Sequence, residues 1–121
     1  MAAGDVAWFF QQLSLLTQAG LPLPECLAQL ASGVQSRPLR RALKGLADGT
    51  QAGGSLGQLM DQYPKIFTPL HRQLVTVGEQ TGTLPEALGQ VARVALNEQQ
   101  TIRRLREILL YPAISMTLGA W

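Results

Sequence analysis

The stretch from Val77 to Leu88, Val-Gly-Glu-Gln-Thr-Gly-Thr-Leu-Pro-Glu-Ala-Leu, stops one helix and starts another within a few residues. Gly82 is placed to end the first helix in a left-handed conformation, where a Cβ would be penalised. Thr83 then offers a hydroxyl as N-cap, Glu86 three residues on completes a capping box, and Pro85 sits in the first turn, where its missing N–H costs nothing. Helices joined by so tight a turn pack antiparallel, so the chain is committed here to helix-on-helix packing. Propensity alone does not explain Gly78 and Glu79 inside the first of the two helices. A residue without a side chain predicts close approach of a second helix, and the adjacent carboxylate predicts a polar tie across it. A cation or a partner amide is the other reading of Glu79.

Similar punctuation parses the rest of the chain. From Asp5, read as an N-cap, Val6, Phe9, Phe10, Leu13, Leu16 and Thr17 recur at helical spacing until Gly20. Trp8 and Leu15 lie off that stripe, which suggests a second covered side. Leu21-Pro22-Leu23-Pro24 forbids continuation and starts the next helix, whose stripe is Leu27, Leu30, Ala31 and Val34. Ser36-Arg37-Pro38 reads as a cap and start, with Leu39, Ala42, Leu43 and Leu46 on one face and Arg37, Arg40, Arg41 and Lys44 on the other. After Gln51-Ala52-Gly53-Gly54, Ser55 is placed to cap a short helix with Leu56, Leu59 and Met60 inward, stopped by Tyr63-Pro64; Phe67 plugs back into the core. Thr68-Pro69 starts a helix whose apolar residues are Leu70, Leu74, Val75 and Val77. The last helix is the longest, with Leu84, Leu88, Val91, Ala95, Glu98, Ile102, Leu105 and Leu109 forming a heptad-like seam up to Pro112, interrupted by one polar residue, Glu98. Strand-like alternation is absent. The expected fold is all-α: an antiparallel bundle of about six helices in one domain, residues 5–108, its long C-terminal helix leading into a membrane segment.

Composition sharpens that last expectation. Charged residues are 15% of the chain, below the roughly 25% usual for soluble domains. After Glu107 no charge follows to Trp121, and Arg103, Arg104 and Arg106 stand just before. A span needs about 20 apolar residues, so residues 109–121 read as the start of a transmembrane helix that the chain's end cuts short. The basic flank marks the cytoplasmic side, and a buried terminal helix is the competing reading. A net charge of +2 is too weak to argue for nucleic acid, and the single cysteine, Cys26, rules out an internal disulfide.

Residues that carry chemistry are scarce. His71 is the only histidine, Cys26 has no base near it in sequence, and no zinc, phosphate-loop or nucleophile-elbow spacing occurs. Gly53-Gly54-Ser55 could present amides to an anion, or be only a turn and cap. The cluster of Arg37, Arg40, Arg41 and Lys44 could dock an acidic partner or anionic headgroups, or be a solvated face. No enzyme and no cofactor are expected.

Three stretches in order carry a resemblance: Phe10-Gln11-Gln12-Leu13 through Ala19-Gly20-Leu21-Pro22-Leu23; Gly54-Ser55-Leu56 through Tyr63-Pro64 to Phe67; and Val77-Gly78-Glu79-Gln80-Thr81-Gly82-Thr83-Leu84. Tyr111-Pro112 follows as a fourth. Together they resemble the inner-membrane platform proteins of bacterial type II secretion and type IV pilus assembly, over nearly the whole chain. The resemblance implies the first of two related cytoplasmic six-helix domains, followed by a membrane helix. It implies a non-enzymatic scaffold linking the cytoplasmic assembly ATPase to pilin or pseudopilin assembly, on the cytoplasmic side of the inner membrane. Gly20, Pro22, Gly78, Glu79, Gly82, Thr83 and Pro112 are then the family's structural motif positions. Other platform components are implied partners, and a homodimer through the seam of the last helix is a further expectation. The alternative function is a small helical module that binds anionic lipid or nucleic acid through its Arg clusters.

Overall fold

The computed structural model describes residues 3–98, and every element among them is helical. The helices are α1 (Ala3–Gln18), α2 (Leu23–Gly33), α3 (Arg37–Gln51), α4 (Leu56–Met60), α5 (Pro69–Thr81) and α6 (residues 84–98). The expectations for residues 99–121, including Pro112, the arginines at 103, 104 and 106 and the membrane segment at 109–121, lie outside the described residues. No helix among those described is long and apolar enough to cross a membrane.

Local chemistry sets most boundaries. Gly20 (φ +89°) ends α1 in the left-handed region, and the Leu21 N–H returns to the Leu16 carbonyl at 3.2 Å. Pro22 is the extended residue before α2, and its carbonyl accepts the first helical bond from Cys26 N–H. The Ser36 hydroxyl accepts from Leu39 N–H to cap α3. The first boundary differs from expectation. Helix α1 covers Ala3–Gln18, so Asp5 lies in its first turn rather than at the N-cap, where an acid still complements the positive helix end.

The core is one cluster. Phe9, Phe10 and Phe67 form a triangle of rings with centroids 5.0–5.9 Å apart, all fully buried. Leu13, Leu27, Leu39, Leu43 and Leu46 surround it, and Leu56, Met60, Leu88 and Val91 close it from the other helices. Cys26 is buried in the same cluster, and burial pushes its thiol pKa up, so it serves as a small apolar residue. Helices α2 and α3 form a closely packed hairpin, α1 lies against α2, and α4 sits on α5. Helix α6 runs antiparallel to both α1 and α5. Ser14 late in α1 donates to the Pro85 carbonyl at the start of α6 (2.8 Å), and His71 early in α5 meets Glu98 (3.2 Å).

The buried stripe of α5 differs from the expected one. It is His71, Val75 and Gly78, while Leu70 and Val77 are exposed. Trp8 and Leu15 are exposed as well (40% and 55%), so nothing among the described residues covers that second side of α1.

Candidate functional site

The polar residues that sequence reasoning singled out gather at three places: the α4–α5 joint, the α5–α6 joint and the outer face of α3.

At the first joint, Glu79 reaches from α5 to the start of α4. Its Oε1 accepts from the Ser55 hydroxyl (2.9 Å) and the Gly57 N–H (2.8 Å), and its Oε2 accepts from the Leu56 N–H (2.8 Å). Those amides have no partner within a five-residue helix. Ser55 occupies the N-cap position, yet its side chain makes no cap bond of its own, contrary to the sequence expectation. Its hydroxyl is turned outward as a donor to the carboxylate. A charged acceptor bonded to several donors is stronger than a hydroxyl bonded to one, which is why the arrangement favours Glu79. The anion site read into Gly53-Gly54-Ser55 is corrected: the Gly53 and Gly54 N–H groups donate to the Thr50 and Gly49 carbonyls, and the amides that meet a carboxylate are those of Leu56 and Gly57, held by the chain's own Glu79.

One residue back, Gly78 lies against α6. A Cβ there would stand 2.5 Å from the Ala87 Cβ and 3.3 Å from the Leu84 Cα. The Gly78 carbonyl accepts from the N–H groups of both Gly82 and Thr83, and Gly82 (φ +70°) makes the left-handed turn between the helices. Thr83 is the last residue before α6, and its carbonyl accepts from Ala87 N–H (3.0 Å). The expected capping box with Glu86 is replaced: the Thr83 hydroxyl pairs with that of Thr81 at 2.7 Å. With two threonines flanking the glycine, the nearer hydroxyl satisfies it.

The capping box of this region lies instead at the other end of α5. The Thr68 hydroxyl accepts from His71 N–H, and His71 Nδ1 accepts from Thr68 N–H, both at 3.2 Å. Since Nδ1 accepts, the ring proton of neutral His71 resides on Nε2, which donates to Glu98 Oε2. The ring is 2% exposed and stands edge-on to Phe10, 5.4 Å between centroids. Burial lowers the imidazole pKa below its ordinary 6.5, and Glu98 opposes that shift in part by charge and hydrogen bonding. The polar interruption of the α6 seam is thus the partner of the only histidine.

On α3, the four basic residues separate. Arg40 is half-buried and caps α2: its Nε and Nη2 donate to the Val34 carbonyl at 3.1 and 2.8 Å. Arg37, Arg41 and Lys44 are exposed, and no carboxylate among the described residues pairs with them. Beside them a trough of about 590 Å³ runs between α2 and α3. Among the described residues no three His, Cys, Asp or Glu side chains gather as they would around a metal ion.

These features define a class first: a small all-helical bundle domain whose buried polar side chains serve as joints between helices. The chain belongs to the type II secretion system protein F family, whose sequence profile matches residues 9–120. It is 32% identical over 110 residues to the type II secretion system protein F of Vibrio cholerae, covering 91% of this chain and 27% of that protein. It is 33% identical over 116 residues to the protein of the same name from Pseudomonas aeruginosa, covering 96% and 29%. To the type IV pilus assembly protein PilC of Myxococcus xanthus it is 27% identical over 110 residues, covering 91% and 26%. The chain thus spans less than a third of the length of these relatives.

Proposed function

We propose that the chain is a cytoplasmic helical domain of an inner-membrane platform protein, in a type II secretion or type IV pilus machine. In this reading it is a non-enzymatic scaffold that links the assembly ATPase to pilin or pseudopilin assembly through protein contacts. Residues 109–121 begin the membrane helix that anchors it. The observation that carries the reading is the use of the polar groups at the helix joints. Glu79, Ser14 and His71 each bind a neighbouring helix, so they set the relative positions of α1, α4, α5 and α6. A domain built to transmit contact needs such fixed joints, and the family's secretion and pilus members agree with that role.

The experiment is affinity purification of the full protein from native membranes after mild crosslinking. The expected result is co-purification of the assembly ATPase or other machine components. Repeated recovery of the intact protein without any of them would overturn the reading. A reporter fused after residue 98 should report the cytoplasmic side, and a periplasmic signal would remove the proposed topology. Light scattering of the chain at several concentrations tests the homodimer expectation, which a concentration-independent monomer would end.

A further inference from the structure

We propose that the outer face of α3 is a docking surface for an acidic helical segment of a partner protein, laid in the trough between α2 and α3; the proposal rests on the scaffold reading above. The first observation is the polarity of α3. Its cations Arg37, Arg40, Arg41 and Lys44 all fall in its first eight residues, with no acid in its first turn and no base in its last. Its only acid, Asp48, lies toward the C-terminal end. Helix dipoles favour the reverse arrangement, since the N-terminal end already carries partial positive charge. Stability alone would not select this pattern, and dipole and side chains add to one positive field.

The second observation is the separation of Arg40 from the other three. It is consumed as the cap of the Val34 carbonyl. Arg37, Arg41 and Lys44 remain at i, i+4 and i+7, a single exposed stripe about 10 Å long. Like charges at such spacing repel and gain nothing from one another.

The third is shape. The trough beside the stripe is lined by the small residues Ala28, Ala31, Ser32 and Ala47, with Arg40 and Lys44 on its basic side and Asp48 as its one acid. Small side chains let another backbone come close. Of the stripe only Lys44 lines the trough, and Arg37 and Arg41 stand on the adjoining helix surface, so a rod seated in the trough meets the stripe along one flank, whereas a bilayer surface is flat. The charge gradient from Arg37 to Asp48 also orients the guest: its acids lie toward the Arg37 end and its less acidic part toward Asp48.

The test uses the chain and its R37Q/R41Q/K44Q variant, which leaves the structural Arg40 in place. The probe is a synthetic helical peptide with Glu at i, i+4 and i+7, compared with a permuted peptide of identical composition whose acids are spread around the helix. Phosphatidylglycerol-containing vesicles and a short DNA duplex are the competing ligands. The expected result is preference for the patterned peptide over the permuted one, lost by about tenfold or more in the variant and weakened by salt. Equal binding of both peptides, or tighter binding of vesicles or DNA, overturns the proposal. The variant is also expected to melt at the same temperature or higher, because it relieves the reversed polarity; a lower melting temperature would show that the stripe serves the fold. In the full protein, if the wild type retains its machine components and the variant retains them equally, the stripe proposal falls and the scaffold reading stands. If the wild type retains none, the scaffold reading falls while the peptide assay still decides the stripe.

Discussion

A carboxylate on α5 caps α4, although a serine, Ser55, stands at the N-cap position of α4. Glu79 accepts three hydrogen bonds there, two of them from amides with no helical partner. Replacing Glu79 with Ala leaves those donors without an acceptor, and Glu79→Gln turns an amide NH2 toward at least one of them. Each substitution is expected to cost about 1–3 kcal/mol, read from denaturant midpoints at constant slope; an unchanged midpoint would show that water replaces the carboxylate without loss. The second residue-scale prediction concerns acid. The folded pKa of His71 is lowered, by burial first, with Glu98 opposing. The unfolded chain therefore takes up the proton first as pH falls. This contribution to stability is fully present above about 6.5 and is lost as pH falls from there through the folded pKa. Protonation would also turn Nδ1 from acceptor to donor against the Thr68 N–H, breaking one half of the capping box. Imidazole NMR is expected to titrate below 6.5, and His71→Gln is expected to flatten the loss of stability between neutral and mildly acidic pH. A normal or raised pKa would contradict the burial argument.

Helix α5 is the element that holds the joints together, and its sequence disguises which face is inside. Its buried stripe is a histidine, a valine and a glycine: His71 meets Glu98 and Thr68, Val75 lies in the hydrophobic core, and Gly78 lies against Ala87. A periodicity count favours Leu70 and Val77, which are exposed. Gly78 tests the element. In an ordinary exposed helix Gly→Ala gains up to about 1 kcal/mol, but here the new methyl meets Ala87 and the α6 backbone. Gly78→Ala is expected to lose about 1–3 kcal/mol by overpacking and Gly78→Leu more. A melting temperature unchanged by Gly78→Leu would remove the close-approach account. Gly82→Ala should also destabilise, by about 1–2 kcal/mol from its left-handed backbone, and a crystal structure of that variant should keep the α5–α6 angle, because Gly78 fixes it.

At the scale of the molecule, much of the fold is legible in the sequence, because prolines, glycines and apolar spacing act locally. Gly20, Pro22, Ser36, Thr68 and Gly82 sit at the boundaries their chemistry dictates, and the aromatic start of α1 lies in the core. The joints are less legible, since they pair residues far apart in the chain: Glu79 with the start of α4, His71 with Glu98, Ser14 with Pro85. A carboxylate next to glycine in the last turn of α5, and a polar break in the α6 seam, are the sequence traces of two of them. The basic cluster on α3 is visible as composition, but its division into one structural cap and a free stripe depends on the reach of Arg40 to Val34. Several of these contacts converge on α6, which meets α1 through Ser14 and α5 through both Gly78 and His71. Leu88 is fully buried on its inner face. Leu88→Ala is expected to cost about 2–5 kcal/mol, a large share of the roughly 5–15 kcal/mol that stabilises a typical domain. Because α1 and α5 are both tied to α6, their amides should lose hydrogen-exchange protection together with those of α6, in one cooperative opening. Loss of protection confined to α6, with α1 and α5 protected as before, would mean that α6 packs on a bundle already complete without it, and that the joints at Ser14 and His71 add position but little cohesion.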